Sequence, residues 1–176
     1  NANRPKLTRT LYINGTSPPS SNAMKRIEVR LSVTVVAPLL DVIREMVDSL
    51  SDNLAVPLKI DDLDEVMSEA WVSERQSAQN ADLELLLGMF DEEFFREGAI
   101  QLDEDNADRV IRACAAVRLR LRSERLADLD ESMLESGDVA MNELPESSRN
   151  VFLCYLFLAT MQELIIQHLE MGESKT

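Results

Sequence analysis

Val151-Phe152-Leu153-Cys154-Tyr155-Leu156-Phe157-Leu158-Ala159 decides how this chain folds. The run sits inside a longer stretch from Pro145 to Met171 with no internal Pro or Gly. Pro145 suits the opening of a helix, Glu146 suits its positive end, and Gly172 suits a left-handed cap. The second half has a polar stripe at Thr160, Glu163, Gln167 and Glu170, whereas the first half has none. A helix that is apolar all round is either a core helix or a membrane span. A span needs about 20 apolar residues in a row, and this run stops at Thr160. The expectation is a core helix that the rest of the chain exists to cover.

Composition agrees with helices. The 176 residues contain only 5 Gly and 5% aromatics, and the periodic stretches are rich in Leu, Ala, Glu and Arg. The expected fold is all-α: a single-domain bundle of about five helices around a buried C-terminal helix, with a short N-terminal β-strand. The net charge of -14 speaks against nucleic acid or an anionic membrane as a partner. Cys114 and Cys154 lie in apolar helical runs and read as reduced core thiols.

Residues 1–23 differ from the rest. They carry Arg4, Lys6 and Arg9, no acid, Gly15 and several Pro and Ser, and read as a disordered tail. Ser21-Asn22-Ala23 before Met24 reads as the remnant of a cleaved purification tag, or the tail as translated upstream sequence. The helical domain is taken as 24–176. Lys25 to Val33 alternates apolar and polar residues, the pattern of a strand. Its partner is either Ala99–Leu102 or the same strand of a second copy. Thr34 to Leu50 is amphipathic, with Pro38 in its first turn. Asp61 or Asp62 caps the next helix, whose apolar face is Leu63, Val66, Met67, Ala70 and Trp71. Asn80 interrupts, Leu83 to Phe94 resumes helical spacing, and Gly98 closes it. A further helix starts at Asp103 or Asp105 and runs to about Leu129; Asp138 to Leu144 connects it to the last one.

The unusual local feature is the concentration of arginine on one helix: Arg109, Arg112, Arg118, Arg120, Arg122 and Arg125. They form two opposite stripes, separated by the apolar stripes Val110/Cys114/Val117/Leu121 and Ala115/Leu119/Leu126. Either the arginines pair with acids at Asp61–Glu69 and Asp91–Glu93, or Arg118, Arg122 and Arg125 bind a phosphate or carboxylate, with His168 as a fourth member. His168 is the single histidine and falls beside Met161, Leu164 and Ile165; Gln162 is also on an apolar flank. Asp103–Asp108 lacks the glycine of a calcium loop, and one histidine cannot complete a diiron set, so no metal or cofactor is expected. No catalytic residues can be assembled, and the chain reads as a non-enzyme.

In its order of strand, amphipathic helix, acidic middle helices, arginine-rich helix and Leu-rich terminal helix, the chain resembles a family of bacterial all-helical proteins of unknown function. The likeness covers most of 24–171 and is carried by stretches such as Asn106–Arg122 and Asn150–Leu169. His168 and the terminal glutamines stand where that family would have arginine. The resemblance implies a bacterial, cytoplasmic protein and assigns no site residue. The functional expectation is an interaction or accessory protein that forms a homodimer and binds a further protein partner; the alternative is a small-anion or metabolite-binding protein.

Overall fold

The computed structural model describes residues 12–14, 25–58 and 64–170. Its elements are β1 (Tyr12–Asn14), β2 (Arg26–Arg30), α1 (Val33–Leu50), α2 (Glu65–Gly88), α3 (Glu92–Glu97), β3 (Ala99–Asp103), α4 (Ala107–Glu124), α5 (Glu131–Ser136) and α6 (Glu146–Ile165). A π-helical turn, Ile166–Glu170, extends α6. The fold is an all-α bundle with a small sheet, as expected.

The apolar run of α6 is its centre. Phe152 and Leu158 are fully enclosed, Leu156 is half-buried, and the helix packs mainly on α4 and α1. By length and composition Glu146–Leu169 could also cross a membrane, and half of its most apolar window is buried in the body. α1 covers α6 with Val36, Leu39, Leu40, Ile43, Met46 and Leu50, the face its periodicity marks. Pro38 is the sixth residue of α1, beyond the first turn, because the helix begins at Val33.

The strand pairing is within the chain. β2 runs antiparallel to β3 with Ile27 opposite Leu102 and Val29 opposite Ile100, so the alternating apolar residues face the core. β1 pairs on the other edge of β2, giving the order β1-β2-β3. The tail read over 1–23 therefore contributes Tyr12–Asn14 to the sheet; its other residues lie outside the described ones. So do Asp61, Asp62 and the Gly172 cap.

Three boundaries differ from expectation. Asp64 caps α2 through Val66 N and Met67 N, and the helix passes Asn80 unbroken to Gly88. The break comes instead at Met89–Asp91, where the Asp91 carboxylate caps α3 at Phe94 N, 3.0 Å away. That bend sends both Phe90 and Phe94 into the core, their rings edge-on at 5.1 Å. α4 starts at Ala107, because Asp103 accepts from the Asp105 and Asn106 amides and makes a turn before it, and it ends at Glu124 rather than near Leu129.

Candidate functional site

α4 is sandwiched between α2 and α6, and its arginines leave along the two seams. On the α6 side Arg118 donates from Nη1 to Gln162 Oε1 at 2.7 Å and from Nη2 to the Tyr155 hydroxyl at 3.1 Å. Gln162 in turn donates to the Ile111 carbonyl at 3.1 Å. The off-stripe glutamine is thus a polar spot inside the bundle. Arg118 Nε is buried without a partner, and Arg118 makes no ion pair among the described residues.

Its two companions are neutralised. Arg122 pairs with Glu131 at 2.7 Å, and that hydrogen bond holds the Arg122 pKa above its ordinary value. Arg125 pairs with Glu45 at 3.3 Å. His168 is exposed and makes no hydrogen bond among the described residues. A π turn takes more residues than an α turn, so the positions after Ile165 rotate: Leu169 points in, while Ile166 and His168 point out. Each of the four expected anion ligands therefore has separate surroundings.

On the α2 side the structure builds something the periodicity did not announce. Asp82 is only 6% exposed, although its side chain is a carboxyl group. Its carboxylate accepts from Arg109 Nε at 3.0 Å and from Arg112 Nε and Nη2 at 2.8 and 3.3 Å. Burial of a carboxylate is tolerated where such donors meet it. The hydrogen bond to Asp82 raises the Arg112 pKa. Among the described residues the acidic partners of these arginines are Asp82, Glu45, Glu124 and Glu131, none of them within 64–69 or 91–93; Asp61 and Asp62 lie outside the described residues. One signal was available: Asp82 is in helical phase with Gln79 and Leu86, the inward side of α2.

Beside Asp82 lies a cleft of about 440 Å³ between α2, α4 and the loop after α1. Leu119 and Ala115, read as one of two buried stripes of α4, line it, and Leu119 is 42% exposed. Arg75, Arg112 and Asp82 form its polar part. Its outer wall, the loop from Ser51 to Leu58, is fastened to α2 by three amide side chains. Gln76 Nε2 donates to the Leu50 and Ser51 carbonyls at 2.7 and 3.1 Å, and Asn80 Nδ2 to Ser51 O at 3.0 Å. Gln79 donates to Leu50 O and Asn53 O and accepts from Ala55 N, so one side chain ties down three backbone groups.

The first turns of α2 project past the body. Val66 is 75% exposed, Met67 50% and Trp71 47%, although their spacing predicts a core face. The first buried residue on this helix is Asp82. The thiols behave as expected: Cys114 and Cys154 are free and buried, and burial pushes both pKa values up to about 12. Among the described residues no group of three or more His, Cys, Asp or Glu could hold a metal ion. Compared with known proteins, the chain matches no family model, no curated protein and no solved structure.

Proposed function

We propose that this chain is a non-enzymatic interaction module that pairs with a second copy of itself through the first turns of α2. The observation that carries the reading is the outward stripe of Val66, Met67, Ala70 and Trp71. Large apolar side chains in a contiguous exposed stripe are costly in water and mark contact surfaces. The buried thiols, and a His168 that has no hydrogen-bond partner among the described residues, favour binding over catalysis.

A net charge of -14 opposes self-association, so pairing strengthens as salt screens the repulsion. Light scattering across a dilution series tests this. A dimer mass that rises with salt and falls to a monomer in the Met67→Ser/Trp71→Ser variant is the expected result. A monomer at every soluble concentration and salt removes the reading. Trp71 is the single tryptophan, so its emission should shift to the blue as the dimer forms.

A further inference from the structure

We propose that the cleft between α2 and α4 binds a small amphiphile with one carboxylate head and an apolar body. Arg75 and the outward edge of Arg112 hold the head, and Leu54, Leu58, Ala115 and Leu119 take the body.

Size comes first. About 440 Å³ falls in the range of sites for small organic ligands. The lining then selects the chemistry. Asp82 engages Arg112 through Nε and Nη2, which fixes the plane of the guanidinium and leaves Nη1 without a hydrogen bond among the described residues. Arg75 makes no hydrogen bond or ion pair among the described residues. Among the described lining residues two guanidiniums and one carboxylate face the space, an excess of one positive charge, in a body whose net charge is strongly negative. A monoanion matches that excess, and a planar carboxylate fits the arginine fork.

Apart from Gln79, whose amide is taken up by the loop backbone, the rest of the lining is apolar and half open. Leu58 and Leu119 are exposed large aliphatic residues, and a bound hydrocarbon chain removes them from water. Part of the wall is held before binding, because Gln76, Gln79 and Asn80 fix the backbone at Leu50, Ser51, Asn53 and Ala55. A preorganised wall spares the ligand an ordering cost. The site is complete within one chain and does not depend on self-association.

Isothermal titration of the full chain with decanoate tests the proposal, with decanol and inorganic phosphate as controls. Decanoate should bind at one site, decanol about tenfold more weakly or worse, and phosphate not measurably, since a hydrogen bond to a charged group is what the head supplies. Arg75→Gln should weaken decanoate about tenfold while leaving the melting temperature of the free protein unchanged. Ala115→Phe, which fills the apolar end, should abolish it. Equal affinity for decanol, undiminished binding by Arg75→Gln, or no decanoate binding at all would each overturn the assignment. Titration of the Met67→Ser/Trp71→Ser variant, which keeps this cleft, separates failure here from failure to dimerise.

Discussion

Arg118 lies over the face of Tyr155, with its guanidinium carbon 4.6 Å from the ring centroid. A half-buried cation is thus held by a ring, a hydroxyl and an amide, with no carboxylate among the described residues. Cation–π contact partly replaces a counter-ion. Arg118→Ala should cost about 2 kcal/mol, because it strips packing from the α4–α6 seam and leaves Gln162 without its donor. Arg118→Met keeps the stem and should cost less; Tyr155→Phe keeps the ring and should cost about 1 kcal/mol. Urea unfolding gives the order. A Met variant no more stable than the Ala variant would mean that the guanidinium's polar contacts, not the packing of its stem, govern the seam.

Asp82 is the second test. Asp82→Ala leaves Arg109 and Arg112 without their shared acceptor, and a loss of about 2–3 kcal/mol is expected. The figure stays below that for a fully enclosed pair because both arginines reach water and can hydrate. A double-mutant cycle with Arg112→Gln should show a coupling of about 1 kcal/mol. Zero coupling would make Asp82 a packing residue rather than an electrostatic one.

The two thiols set an alkaline limit. Both have folded pKa values of about 12 against an ordinary 9.0. Between those values the folded chain holds two protons that the unfolded chain has released, so stability is intact below pH 9 and falls toward pH 12. Stability measured against pH in that window should drop with a slope of about two protons, and the Cys114→Ala/Cys154→Ala variant should flatten it. At neutral pH neither thiol should react with a bulky disulfide reagent until the protein unfolds. Rapid native labelling would contradict the burial.

Gly98 closes α3 with a φ of 67°, and a Cβ there would come 2.9 Å from the Leu31 carbonyl oxygen. Its own carbonyl accepts from Leu31 N at 2.7 Å, which joins α3 to the end of β2. Gly98→Ala should cost about 2–3 kcal/mol, combining left-handed strain with a backbone shift. A Cβ on Gly88 would point into open space, so Gly88→Ala should be neutral or stabilising. Thermal melts of the two variants give the contrast.

Elements with a strong period were legible. The all-round apolar character of Val151–Leu158 marks α6 as the core, and the alternation in Lys25–Val33 marks β2 and permits β3 as its partner. What failed was the question of what each apolar face meets. Met67 and Trp71 have the spacing of a core face, but no element of the described chain covers them, and spacing carries no information about a neighbour. Ala115 and Leu119 show the same on α4. His168 was misplaced because one π turn changes the phase of everything after it. α5 is six residues long, too short to display a period. The Asp82 pairs and the glutamine contacts join residues 24 or more positions apart, which local patterns do not reveal.

Fastening the Ser51–Leu58 loop with Gln76, Gln79 and Asn80 has one more consequence. Primary amides carry no titrating proton and no net charge, so these anchors are indifferent to acidity and ionic strength across the range in which carboxylates and guanidiniums respond. The gripping arginines can therefore be tuned by the medium while the frame they sit in keeps its shape.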